Sequence, residues 1–214
     1  MINLVITDDH KILRQGIIKL LKNLGDYNIL AELNDGEELL RNFGTLKEKA
    51  DLFILDHSLP KKSGIEILTE LQSILNEEKF LILTQNDSVN IKSQFYKLGA
   101  RGFLSKTCTG EELKEAIEQI INTGYFNLQE NIKMLRKNDP DFSPIFFLSK
   151  KELELIKWIC CEEEYTYEQI ASKMNISIKT VDYYRNNLFE KFNISSKTGL
   201  VLLSHKHKLT PPFL

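Results

Sequence analysis

Cysteine, tryptophan and long apolar runs are all scarce in this chain. Its three cysteines are Cys108, Cys160 and Cys161; two are adjacent and none has a CxxC partner. That pattern argues against a disulfide framework and a cysteine-ligated zinc site, and it suits a reducing compartment. No uncharged apolar run approaches the ~20 residues that a membrane helix needs. The apolar opening Ile2 to Ile6 is short, lacks a basic leader and runs into Asp8 and Asp9, unlike a secretory signal. Charge of one sign is lacking too: 28 Lys+Arg face 30 Asp+Glu, a net of −2. Bulk electrostatics therefore do not make the molecule a polyanion binder. The expectation is a cytoplasmic protein with no membrane partner.

What is present is enough apolar sequence for two cores. The chain has 214 residues, 42% hydrophobic and 27% charged, which is the balance of globular domains. Up to about residue 125, short apolar runs alternate with helix-period segments. The expected strands are 2–7, 27–33, 52–56, 79–84 and 102–106, several of them apolar at consecutive positions, as strands covered on both faces are. Between them lie expected helices over 10–23, 36–47, 65–75 and 89–98, and a last one opened by a Thr109/Glu112 capping box. Five β–α units imply a doubly wound five-stranded parallel sheet, an α/β fold in which every strand ends at one edge.

That edge collects a particular set of side chains. Asp8 and Asp9 follow the first strand, Asp56 ends the third, Thr84 the fourth and Lys106 the fifth. Three carboxylates brought together repel one another, and a hard divalent cation such as Mg²⁺ relieves that repulsion. Lysine adds a counter-charge and threonine a hydroxyl for anionic oxygens. A carboxylate nucleophile beside such groups is what phosphoryl transfer to aspartate requires. The bland alternative is that each is a solvated strand end; five such residues gathered at strand ends of one edge weigh against it.

The segments ITDDHKILRQG, LFILDHSLPKKSGIEIL, LILTQND and GARGFLSK resemble the receiver domain of two-component response regulators, whose fold is flavodoxin-like. The resemblance implies that Asp56 accepts a phosphoryl group from a sensor histidine kinase. It implies that Asp9 and Asp56 hold Mg²⁺ directly with the backbone carbonyl of Ser58, and Asp8 mainly through water. Thr84 and Lys106 would bind the phosphoryl group, and Phe103 stands where an aromatic turns inward on activation. Two residues depart from the usual pattern: His57 replaces an aliphatic after the acceptor, and Gln85 a small residue after the threonine. A Mg²⁺-dependent phosphatase or mutase with an aspartyl phosphate would need a second acid two residues after Asp56, where Ser58 stands.

Residues 128–146 lose this rhythm and are expected to be an interdomain linker, with a short helix over 132–136 and breakers at Asn138-Asp139-Pro140 and Ser143-Pro144. From residue 147 the pattern is helical only. Capping boxes at Ser149/Glu152 and Thr166/Gln169 open two helices, with Leu153, Ile156, Trp158 and Ile159 of the first facing inward. A tight turn, 175–177, leads to a third helix capped by Ser177, and Ser195 is expected to cap a fourth. Periodicity alone leaves a plain helical bundle and a helix-turn-helix both open. Charge does not decide: residues 147–214 hold 10 Lys+Arg against 8 Asp+Glu, and residues 1–127 hold 15 against 19.

LSKKELELIKWI, YEQIASKMNISIKTVDYYRNNLFEKFNI and SSKTGLV resemble the LuxR-type helix-turn-helix at the carboxyl end of NarL/FixJ regulators. The expected organisation is thus a receiver (1–127), a linker (128–146) and an all-α, four-helix DNA-binding domain (147–214), with a homodimer as the active form. The receiver would catalyse only its own phosphorylation and dephosphorylation, so the chain is not expected to be an enzyme otherwise. On the third helix Val181, Tyr184, Leu188 and Phe192 should face the bundle. Lys179, Thr180, Asp182, Tyr183, Arg185, Asn186 and Asn187 are left for duplex DNA, Asn186 being able to pair with adenine and Lys179, Thr180 and Arg185 to hold phosphates. Asp182 departs from the pattern of many relatives, which carry a basic residue there. With the weak basic balance it keeps a second reading open, a helical module that binds protein and not DNA. The tail 205–214 reads as a solvated helix end and an extended Pro-Pro segment.

Overall fold

The structure, a computed structural model, describes residues 1–75, 77–85, 88–138 and 147–210. The chain divides into two compact units, Met1–Pro140 and Asp141–Leu214. In the first, strands and helices alternate: β1 (Ile2–Thr7), α1 (Lys11–Leu24), β2 (Tyr27–Leu33), α2 (Gly36–Leu46), β3 (Leu52–Asp56), α3 (Gly64–Leu71), β4 (Phe80–Thr84), α4 (Val89–Lys97), β5 (Gly102–Ser105) and α5 (Gly110–Thr123). Every pairing is parallel and the sheet order is β2-β1-β3-β4-β5. This is the doubly wound sheet expected, with its order reversing at β1, where such folds open a crevice at the carboxyl ends of the strands.

Burial on both faces explains the continuous apolar strands: every residue of β3 and β4 is buried. The two-residue period then sorts the side chains. Leu52, Ile54, Leu81 and Leu83 join an aliphatic core with Leu4, Ile6, Leu21, Leu113, Ile117 and Ile120, contributed by β1, α1 and α5. Phe53 and Phe80 alternate to the other side, stacked with ring centres 4.9 Å apart, and Phe43 of α2 lies 5.4 Å from Phe53. The capping box at Thr109 and Glu112 forms as expected, and another forms at Ser63 and Glu66.

Two segments differ from the sequence reading. Helix α3 stops at Leu71 and not at Leu75, because the chain tightens there into i→i−3 bonds, Gln72 to Thr69 and Ile74 to Leu71; Ile74 is left exposed. The stretch read as linker opens as helix α6 (Leu128–Asn138), longer than the short helix expected over 132–136. Its Ile132 and Leu135, three apart, are both buried and α6 touches α4, so this part of the stretch packs with the first unit. The breakers at Asp139-Pro140 and Ser143-Pro144, and the Pro-Pro tail, lie outside the described residues.

The second unit consists of α7 (Lys150–Ile159), α8 (Tyr167–Met174), α9 (Ile178–Phe192) and α10 (Lys197–His207). Capping boxes at Ser149/Glu152 and Thr166/Gln169 and the Ser177 cap form as expected. The α10 cap is Ser196 and not Ser195: its Oγ accepts from the Gly199 amide at 3.1 Å. A Cβ on Gly199 would stand 3.2 Å from that of Ile194, so glycine at the third helical position leaves room for the turn. In α7 the inward face is Leu155, Ile156 and Ile159, with Leu153 and Trp158 only partly buried. Val181 and Leu188 are fully buried, and Tyr184 and Phe192 pack partly against the same core. Among the described residues no helix is long and apolar enough to cross a membrane.

One feature of this core was not expected from the sequence. Lys191, at the end of α9, is buried with its Nζ 2.5 Å from Glu152 Oε1 and 3.3 Å from the Phe147 carbonyl; the two side chains are 4% and 2% exposed. The other oxygen of Glu152 accepts the Ser149 amide at 2.8 Å, so one carboxylate caps α7 and neutralises α9. Removing one partner of a buried pair strands the other charge. Lys191→Ala should therefore cost this unit about 3–5 kcal/mol. Urea unfolding followed by Trp158 fluorescence reads that unit selectively, since the chain has 1 tryptophan. Lys191→Met with Glu152→Gln, which keeps the cap, should recover much of the loss; a single variant as stable as the parent would mean the pair contributes nothing.

Candidate functional site

The parallel sheet carries Thr7, Asp56, Thr84 and Ser105 to one edge in adjacent register, Thr7 beside Leu55, Asp56 beside Leu83, and Thr84 beside Ser105. Asp8 and Lys106 lie one residue past their strands. Lys106 stands between two acids: its Nζ is 2.5 Å from Asp56 Oδ2 and 2.9 Å from Asp8 Oδ2. All three side chains are buried, Lys106 at 6% exposed, Asp56 at 1% and Asp8 at 2%. Thr84 is buried on the neighbouring strand, and its carbonyl accepts the Lys106 amide at 2.9 Å.

One ammonium for two buried carboxylates leaves the charges unbalanced. Burial pushes the Asp56 carboxyl above the ordinary carboxylate value, with the charge of Asp8 adding to it, while Lys106 and the Ser58 amide, 3.1 Å from Oδ1, only partly offset it. Burial alone would lower Lys106, but its two acidic partners prevail and hold the ammonium above its usual range. Asp8 Oδ2 lies within ion-pair distance of Lys106 yet accepts no aligned hydrogen bond.

Cation ligands are close at hand. Ligand atoms of Asp8, Asp9, His10 and Asp56 all lie within 4.8 Å of one another. Hard carboxylate oxygens, two of the acids buried and sharing one ammonium, suit a divalent cation, so the residues present fit Mg²⁺. Ser58 enters through its amide, bonded to Asp56.

Supporting residues not picked out from the sequence hold these groups in place. Arg14 of α1 is buried; one guanidinium nitrogen donates to the Asp8 carbonyl and another to Asn34 Oδ1 at 2.8 Å, tying Asp8 to the end of β2. A basic residue on an amphipathic helix reads as solvent-facing, so nothing in the spacing marks it. The loop after Asp56 is clamped by Lys61, whose Nζ is 2.6 Å from Asp35, the N-cap of α2. Lys61 itself is left-handed, φ 65°, a conformation that costs a non-glycine residue and that the ion pair helps to hold. Gly64 opens α3 where a Cβ would stand 3.0 Å from the Asp56 carbonyl and 3.1 Å from the Phe95 ring, so its lack of a side chain lets helix and strand end meet.

An aromatic path leaves this edge. The His57 ring meets Phe95 edge-on at 5.3 Å, and Phe95 meets Phe103 at 5.2 Å. Phe103 is buried and also touches Tyr96. His57 is therefore packed at the sheet edge, its Nδ1 buried and without a hydrogen-bond partner among the described residues.

In the second unit α8 and α9 are joined by three residues, with Asn175 left-handed at φ 54°. On α9, Lys179, Tyr183 and Asn186 are exposed, and Thr180, Asp182, Arg185 and Asn187 are half-buried. Thr180 shares a hydroxyl contact of 2.8 Å with Ser177. Arg185 is not free: its Nη1 is 2.8 Å from Asp182 Oδ1, its Nη2 donates to Asn186, and its guanidinium lies 5.0 Å over the Tyr167 ring of α8.

Comparison with known proteins agrees with both halves. Residues 4–118 match the response regulator receiver domain, and residues 147–204 match the bacterial regulatory proteins of the luxR family. The oxygen regulatory protein NreC of Staphylococcus epidermidis is 30% identical over 96% of this chain and 98% of its own. The response regulator UvrY of Escherichia coli is 27% identical over 98% of this chain and 96% of its own. Among solved structures, a complex of the two-component response regulator RcsB with DNA superposes with a TM-score of 0.57 at 26% identity, covering 95% of this chain and 98% of that one. The chain, with a receiver sheet whose edge gathers Asp8, Asp56, Thr84 and Lys106 and a luxR-family helical unit behind it, belongs to the response regulators of the NarL/FixJ type.

Proposed function

We propose that Asp56 is the phosphoryl acceptor, that a sensor histidine kinase is the donor, and that the state of Asp56 governs duplex DNA binding by the helical unit. The observation that carries this reading is the ammonium of Lys106 shared between Asp56 and Asp8 at 2.5 and 2.9 Å. An Asp56 oxygen attacks phosphorus in line with the P–N bond of a phosphohistidine; that bond breaks and its electron pair leaves with the imidazole. Lys106 then turns its charge to the phosphoryl oxygens, and Thr84 donates its hydroxyl to one of them. Asp9, Asp56 and the Ser58 carbonyl would hold Mg²⁺, with Asp8 assisting through water; when bound, the ion would supply positive charge to the oxygens of the transferring group.

Turning Lys106 and Thr84 toward the phosphoryl group alters the packing beside them, and the path His57–Phe95–Phe103 hands that change to α4 and β5. We assign receiver chemistry to residues 1–127 and DNA binding to 147–214, acting as a cytoplasmic homodimer when phosphorylated. RcsB of Salmonella enterica serovar Typhimurium, 25% identical with a TM-score of 0.54, was solved bound to promoter DNA with a phosphomimetic, which supports this order of events. The carry-over to DNA contacts is to Lys179, Thr180, Asp182, Tyr183, Arg185, Asn186 and Asn187 on α9. One observation favours the second reading, a protein-binding helical unit: Arg185 is already held by Asp182 and Tyr167.

Three outcomes test these statements. Asp56→Asn should abolish Mg²⁺-dependent incorporation of acid-labile phosphate; a variant still labelled stoichiometrically would remove Asp56 from the mechanism. Because the folded state raises the Asp56 pKa, its ionised form costs stability at neutral pH, and that cost vanishes below the unfolded value of 3.8. Without Mg²⁺, Asp56→Asn should therefore melt above the parent at pH 7, the gap closing as pH falls toward 3.8; equal melting at pH 7 would mean that Lys106 fully compensates the burial. Asp182→Ala should release Arg185 toward phosphates, tightening duplex binding and steepening its log–log salt dependence by about one unit. Absence of duplex binding in both phosphorylation states, with Asp56 still modified, would favour the protein-binding reading.

A further inference from the structure

Resting on the cation site proposed above, we infer that His10 supplies an imidazole nitrogen to the bound ion, so that the pocket favours Mn²⁺ over Mg²⁺. His10 occupies the N-cap position of α1, where a side chain ordinarily accepts from a free helix amide, but it makes no such bond. Its backbone amide donates to Asp8 Oδ1 at 2.7 Å, which fixes the residue beside the acids. Its ring turns the same way: Nδ1 is 2.9 Å from Asp9 Oδ1 and 3.3 Å from Asp8 Oδ1. Neighbouring ligands of a six-coordinate ion at about 2.1 Å stand roughly 3 Å apart, so the 2.9 Å between His10 Nδ1 and Asp9 Oδ1 is a spacing that one cation held directly by Asp9 can span. Asp8 Oδ2, on a side chain 2% exposed, has the Lys106 ammonium at 2.9 Å but no aligned hydrogen bond among the described residues, so this buried acid keeps acceptor capacity beside His10.

The donor set is what sets the preference. Mg²⁺ takes oxygen ligands and keeps several waters, whereas imidazole suits the transition ions and Mn²⁺ accepts both donor types. The His10 side chain is 60% exposed, which leaves its outer edge in solvent while Nδ1 faces the acids. A nitrogen added to an oxygen site therefore gains for Mn²⁺ what it does not gain for Mg²⁺. The other role open to the ring is orientation, Nδ1–H donating to Asp9; in that case His10 helps every divalent ion equally.

The experiment is calorimetric titration of the full chain with Mg²⁺ and with Mn²⁺, for the parent, His10→Ala and Asp56→Asn, together with pulsed electron paramagnetic resonance of the Mn²⁺ form. His10→Ala should lose on the order of tenfold in Mn²⁺ affinity and keep Mg²⁺ affinity within about twofold, which also certifies its fold. The parent's Mn²⁺ spectrum should show a nitrogen coupling that His10→Ala lacks. Equal losses for both ions, or no nitrogen coupling in the parent, would overturn the ligand role and leave the cation site standing. If neither ion binds the parent, or Asp56→Asn binds both as the parent does, the cation site itself fails and His10 with it.

Discussion

Two buried carboxylates sharing one ammonium are the constraint from which the first unit is built. Asp56 and Asp8 come from adjacent parallel strands, so their charges meet because the sheet order puts β1 beside β3. Lys106 can reach both because β5 ends at the same edge, two strands from β3 and three from β1. Much of what surrounds the trio keeps that geometry fixed. Arg14 holds the Asp8 backbone against β2, the Asp35–Lys61 pair holds the loop after Asp56, and Gly64 lets α3 start against the strand end. The arrangement is electrostatically incomplete, since Asp56 remains harder to ionise than a free carboxylate even with Lys106 in contact. An added cation and an added phosphoryl group are both answers to that incompleteness, one supplying positive charge and the other giving Lys106 a different anion to hold.

Burial also explains how far the sequence could be read. The five strand ends were legible because double covering makes the strands apolar without interruption, and polar residues at their carboxyl ends then stand out. Capping boxes at Ser149 and Thr166 were legible for the same kind of reason, a local rule with a fixed three-residue spacing. What escaped was non-local. Arg14 and Lys191 look like solvent-facing members of amphipathic helices; only contacts with Asp8 and Asn34, or with Glu152 far along the chain, make them interior residues. Helix α6 was expected only as a short piece, and its length and packing escaped because its polar composition hides a short apolar stripe, Ile132 and Leu135, that matters once α4 is present to cover it. Two adjacent serines do not reveal which one caps α10; the Gly199 amide donates to Ser196.

Helix α9 shows the same tension between local chemistry and context. Its residue types suit the DNA contacts proposed for it, but Arg185 is engaged on three sides, by Asp182, Asn186 and the Tyr167 ring. An arginine lying over a ring of the preceding helix braces the helix-turn-helix, and Asp182 fixes the direction of that brace. Asp182, an acidic residue on a helix proposed to meet DNA, thus has a structural use: it anchors Arg185. Its cost, a smaller positive field toward phosphates, falls on the electrostatic part of binding, the part that carries no sequence information.

Both units bury a lysine against acids, and the difference between the two sites accounts for their different uses. Glu152 spends one oxygen on Lys191 and the other on the Ser149 amide, while Lys191 also donates to the Phe147 carbonyl; each group has partners enough to stay as it is. At the sheet edge one lysine serves two carboxylates, Asp8 Oδ2 lacks an aligned donor, and Asp9 and His10 crowd the same space from the solvent side. A buried polar network that is fully satisfied has no lower state to move to, and it specifies a fold. One that is left short of charge responds to whatever supplies it. The same interaction therefore locks the helical unit and leaves the receiver edge able to switch.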